Sequence, residues 1–235
     1  LRHMKAAGRI GANCRLQVGI ATPLSVIGQY VDEAFQAAIE PAYEQRLLEE
    51  VDEMAAAIPA DELAIQWNLA TELSIVAGHR CVYFNKLADG ILERLVRLCE
   101  RVPDGIELGL HFCYHDFIHN GFPLPADMDG LVDLANGLLG SIGRAIDWIH
   151  LPVPDQDAGE KYFAPLRRLL MRPEAKIYLG LIHAADGFDG ALKRLEAARP
   201  SLAGFGVGFE CGLGNLTEDQ IPDVLKLHRQ VAEAI

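Results

Sequence analysis

Residues 106–113 read IELGLHFC. Apolar and small residues alternate through this run and then give way to a histidine and a cysteine two positions apart. Alternate residues of a strand share a face, so His111 and Cys113 point the same way from strand positions roughly 7 Å apart. The flanks fix the context. Before the run, residues 86–102 (KLADGILERLVRLCERV) carry apolar residues at helical spacing, and so do residues 127–142 (DMDGLVDLANGLLGSI) after it. The next strand-like run is residues 145–153 (AIDWIHLPV). The same alternation extends outward to further strand candidates at residues 15–21 (RLQVGIA), 63–70 (LAIQWNLA), 176–184 (KIYLGLIHA) and 205–212 (FGVGFECG). Residues 41–58 and 187–202 supply two more helical patterns. Strand-helix alternation without a composition break implies one α/β domain over residues 1–235, with a parallel sheet wrapped by crossover helices.

Composition narrows the function. Half of the 235 residues are hydrophobic, enough for a large core. A formal net charge of −12 opposes binding to nucleic acid or an anionic membrane surface, since both need clustered Lys and Arg. No apolar run approaches the roughly 20 residues needed to cross a bilayer. The N-terminal LRHMKAAGRI lacks the apolar stretch of a signal peptide, so the expected setting is cytoplasmic. The five cysteines, Cys14, Cys81, Cys99, Cys113 and Cys211, are odd in number and scattered, which suits free or metal-bound thiols better than a disulfide framework. Cys14, Cys81 and Cys99 read as packing residues, and Trp67 and Trp148 as core or pocket wall.

Every strand candidate ends on residues with chemistry in them. Thr22 and Ser25 follow the first, Asn68 and Glu72 the second, and His111 and Cys113 the third. His150, His183 and Cys211 end the last three. The carboxyl ends of parallel strands converge on one face, where α/β active sites sit, so these segments aim at one pocket. Thr22, Ser25, Asn68 and Glu72 are candidate substrate contacts, and Asp116 a candidate to orient a ligand. His111, Cys113 and Cys211, the last beside Gly212 and Gly214, make two thiolates and an imidazole with a fourth position open, a set zinc prefers in catalytic sites. The competing reading is that the histidine and cysteines merely pack. His115 and His119 read as solvated, and residues 155–162 (DQDAGEKY) as a polar loop over the pocket mouth.

The residues also resemble a known family. HFCYHDF (111–117) is similar to the zinc-binding His-x-Cys-Tyr segment in the catalytic domain of cobalamin-independent methionine synthase, and FECGLG (209–214) to that family's Asp-Cys-Gly-Leu segment. GIATPLSVIG (19–28), AIQWNLATE (64–72) and LGLIHAADG (179–187) resemble its substrate strands. The resemblance implies the (β/α)8 TIM-type barrel shared with uroporphyrinogen decarboxylase and the zinc thiol alkyltransferases. It implies zinc held by His111, Cys113 and Cys211, and His183 as the pocket histidine that handles the substrate proton. It further implies a small-molecule thiol and an alkyl donor as partners, in a reaction of the methionine-biosynthesis type. At matching positions, His150 stands where the family has a Glu ligand, and becomes the candidate fourth ligand, with Glu210, Asp116 or water as alternatives. Asn68 stands where it has an Asp, and an amide carries no charge to hold an ammonium group.

Aligned this way, residues 15–21 correspond to the family's third strand. The expectation is an N-terminally truncated barrel missing its first two strands, with open sheet edges that invite aggregation or pairing with a second copy. Three functions follow: alkyl transfer to a zinc-bound thiol, a zinc lyase or hydrolase using metal-activated water, or a metal-free relative.

Overall fold

The computed structural model describes residues 1–155 and 158–235. Among these, six strands form one all-parallel sheet in sequential order: β1 (Leu16–Ala21), β2 (Leu63–Leu69), β3 (Glu107–Phe112), β4 (Trp148–Pro152), β5 (Lys176–Ile182) and β6 (Gly206–Phe209). Each falls inside an expected run. Helices Glu33–Ala57, Leu87–Arg101, Asp129–Ser141 and Gly187–Ala198 fill four of the five crossovers, and the described part of the β4–β5 connection carries only the short helices Glu160–Phe163 and Ala164–Arg168. The first starts eight residues earlier than its apolar pattern suggests, capped by Asp32, and runs through Pro41. Among the described residues, no helix is long and apolar enough to cross a membrane.

Strand order that never reverses has a geometric consequence. Right-handed crossovers, the rule for parallel strands, then place the crossover helices on the same face of the sheet. Leu63, Ile65, Trp67 and Leu69 of β2 and Leu108, Leu110 and Phe112 of β3 point to that face and are fully buried. The intervening residues face the other way. Backbone register aligns them in rows: Ala21, Asn68, His111, His150, Tyr178 and Gly206 form one, and Gly19, Gln66, Gly109, Trp148 and Lys176 the next. These rows border a cavity of about 780 Å3.

Small residues in these rows make room for large neighbours. Trp148 lies flat over Gly109, where a Cβ would come within 1.9 Å of the indole. The indole Nε1 thereby reaches Gln66 Oε1 at 3.2 Å, and Gln66 in turn accepts from Gln17 and donates to Asn68. Trp148 is thus cavity wall and Trp67 core. Of the cysteines assigned to packing only Cys99 is buried; Cys14 and Cys81 are exposed, because they sit in loops outside the sheet.

Candidate metal centre

The ends of β3 and β6 bring three donors together. Although β3 and β6 are not adjacent in the sheet, His111, Cys113 and Cys211 place one ligand atom each within 4.8 Å of one another, a group that could hold a metal ion. Cys113 Sγ lies 3.2 Å from Cys211 Sγ, and Cys211 Sγ lies 3.8 Å from His111 Nε2. The backbone N–H of His115 donates to Cys113 Sγ at 3.3 Å. Cys211 reaches this position because the β5–β6 ladder shifts register between Leu179 and Ile182, and Gly180 lets the chain of Glu210 pass over it. A Cβ on Gly180 would lie 2.8 Å from Glu210 Cα. Hydrogen bonds from the Cys113 thiol and the His111 ring pull the Cys211 thiol well below its usual range. Cys113, donor in that bond and buried, is pushed up. A metal ion binding there would displace the thiol protons.

His150, expected as a fourth ligand, is not among the three grouped donors and packs against the His111 ring. Strand register sets it level with His111, and the two rings stack 4.7 Å apart with Nδ1 to Nδ1 at 2.6 Å. Burial, and then the neighbouring His111, push His150 down to about 3, so its ring is neutral. A His111 that ligates through Nε2 would carry its proton on Nδ1 and donate it to His150 Nδ1. That is the usual way a ligating histidine is oriented from behind. His150 Nε2 is then left buried without a partner, facing Gly208.

His183 sits on the other flank of the sulfur pair. Its Nε2 donates to the Val153 carbonyl at 2.8 Å, and its Nδ1 lies 2.7 Å from Glu210 Oε2. Arg194 holds the surrounding loops by donating to the carbonyls of Leu181 and Asp155 and to both oxygens of Asp186. The same guanidinium keeps Asp186 below the usual carboxylate range. The pairing of Glu210 with His183 is a site feature that residue type alone did not reveal, since it depends on the β5–β6 irregularity.

The remaining candidates divide. Asn68 lines the sheet-face cavity beside His111. Thr22, Ser25 and Glu72 are buried against one another, outside that cavity's wall. Thr22 caps the helix Pro23–Tyr30, accepting from the Ser25 N–H at 3.2 Å, and donates to Glu72 Oε1 at 2.5 Å. Ser25 donates to Glu72 Oε2 at 3.4 Å. Burial raises the Glu72 carboxyl to about 7. Asp116 is fully enclosed: Arg80 donates to both its oxygens at 2.7 and 2.6 Å, and Ser74 adds a further hydrogen bond. Each of these four finds its partner within the fold, and none of them lines the sheet-face cavity. His115 and His119 are exposed, as expected. In the polar loop 155–162, Gln156 and Asp157 lie outside the described residues, while Tyr162 is buried with its hydroxyl 2.8 Å from that of Tyr114.

No protein-family model and no curated protein matches this chain.

Proposed function

We propose that this chain is an enzyme that transfers a methyl or other alkyl group to a thiol held at a zinc centre formed by His111, Cys113 and Cys211, in the manner of cobalamin-independent methionine synthase. The observation that carries the reading is the convergence of one imidazole and two thiols within 4.8 Å at strand carboxyl ends. A (β/α)8 TIM-type barrel is the architecture that sequential parallel order and a helix-free inner face favour. Two sulfurs and a nitrogen suit zinc better than hard, oxygen-seeking ions. When bound there, zinc would lower the pKa of a substrate thiol and hold it as a thiolate.

The protein's own residues supply the rest. Cys113 and Cys211, as anionic ligands, would leave a sulfur bound beside them electron-rich. Transfer would join the substrate sulfur to the donor's alkyl carbon while the carbon's bond to its leaving group breaks, that group keeping the electron pair. The proton released from the thiol passes to the pair formed by His183 and the half-exposed Glu210, from which it reaches water. His150 holds His111 in its ligating orientation. Asn68, Gln66 and Gln17 offer amides to the polar part of a substrate or donor in the cavity.

Cobalt(II) substitution tests this. The cobalt protein should show sulfur-to-metal charge-transfer absorption that intensifies when a small thiol is added. No response to thiols, with a group ionising near neutral pH in their absence, would favour metal-activated water, hence a lyase or hydrolase. Failure to take up cobalt or zinc would favour the metal-free reading.

A further inference from the structure

The sulfur pair borders two cavities of opposite character. Cys113 and Cys211 lie on the wall of the sheet-face cavity and also on that of a second, of about 510 Å3, beyond the strand ends. The first is lined with charge, including Arg15, Glu107, Glu174 and Lys176. The second is walled by Ile118, Leu124, Val153, Ile182, Leu213 and Leu216. Among its described lining residues there is no Lys or Arg. Its buried polar atoms are already engaged: the Tyr114 hydroxyl meets Tyr162, and His183 is held between Val153 and Glu210. Only Glu210, His115 and Asp155 bring further polar side chains to its rim.

We infer that this second cleft binds an aliphatic chain carried by the thiol substrate, so that the preferred acceptor is an uncharged alkyl thiol rather than an amino-acid or phosphorylated thiol. The inference rests on the thiol-alkylation reading. A sulfur held at Cys113 and Cys211 sits at the mouth of the cleft, so its substituent extends either into the charged cavity or along the apolar wall. Among its described lining residues the cleft offers no Lys or Arg to neutralise a carboxylate or phosphate, His183 is already paired with Glu210, and Glu210 and Asp155 repel both groups. Ile118 is 64% exposed and Leu124 38% exposed in the free protein. A chain lying in the cleft would cover both, and removing apolar surface from water is the main source of affinity there.

The test is a titration of the cobalt-loaded protein with ethanethiol, butanethiol and hexanethiol, and with homocysteine. Affinity should rise about two- to fourfold per added methylene, and homocysteine should bind more weakly than butanethiol. Ile118→Asp and Leu124→Asp, both at exposed positions that tolerate a charge, should flatten the chain-length dependence. An independent readout needs no metal: an apolar fluorescent dye bound to the metal-free protein should be displaced by hexanol, and not by ethanol at the same concentration. Equal affinity along the series, or an unaltered dependence in both variants, would overturn the cleft assignment while leaving thiol binding intact. No spectral response to any thiol would overturn the thiol reading itself, and the dye arm would still report whether the cleft takes alkyl chains.

Discussion

At the ends of β1 and β2, Glu72 is enclosed by Thr22 and Ser25, with Asp116, Arg80 and Ser74 packed nearby. At the ends of β3 and β6, Cys113, Cys211 and His111 face each other across a cavity wall with His150 behind them. Both clusters gather polar side chains at strand carboxyl ends. In the first, each hydroxyl and carboxylate is met by a partner, and the carboxylate of Asp116 has a guanidinium across both oxygens. In the second, two sulfurs lie 3.2 Å apart at a cavity wall and one buried ring nitrogen has no partner. A cluster that completes its own hydrogen bonds is scaffold; one with unspent donors beside open volume is where a ligand belongs.

The largest expected effect separates the clusters directly. Replacing both Cys113 and Cys211 with Ser should abolish stoichiometric zinc after dialysis, removing most of the roughly 10 kcal/mol or more that thiolate-rich zinc sites contribute. Removing scaffold groups should leave that stoichiometry alone. Arg80→Ala strands the buried Asp116 charge and should cost about 3–5 kcal/mol of folding stability by denaturant titration, with zinc uptake retained. Zinc loss in folded Arg80→Ala protein would mean the clusters are not separable.

Glu72 gives a signature in pH. Its carboxyl is raised from 4.5 to about 7, chiefly by burial. The native state therefore binds the proton more tightly than the unfolded chain. The stability this contributes is fully present below pH 4.5 and is lost as pH rises through about 7. Compared with wild type, Glu72→Gln should lack a decline on the order of 3 kcal/mol across that window. Identical pH profiles for the two proteins would mean Glu72 is solvated in solution.

The smallest effect tests His150. As the residue that orients His111, its replacement by Ala should weaken zinc binding by about 10- to 100-fold, less than loss of either cysteine. His150→Glu should not surpass wild type, since a carboxylate at the His111 ring lies behind the ligand rather than on the metal. Restoration by Glu alone, with Ala as damaging as Cys211→Ser, would make position 150 a ligand.

How far these differences were legible in residue order depends on the distance over which each is decided. The six strands were readable because their alternation is local, and so was the His111–Cys113 pair, which needs only the two-residue period of one strand. Thr22 was half readable: Thr followed by Pro is a helix-start signature, and reading the Thr22 side chain as a cap would have removed it from the pocket. The enclosure of Asp116 by Arg80 was not, as it joins residues 36 apart through tertiary packing. The stacking of His150 on the His111 ring was not legible for a related reason, since only the β3–β4 register puts it level with His111. Cys211 pointed inward as expected, but the register shift that carries Glu210 to His183 leaves no mark in the sequence.

X-ray absorption at the zinc edge tests the central claim most directly. The zinc-loaded protein should show two sulfur neighbours at about 2.3 Å and nitrogen at about 2.0–2.1 Å, with a third sulfur appearing when an alkyl thiol is added. A first shell of nitrogen and oxygen alone, unchanged by thiol, would contradict it.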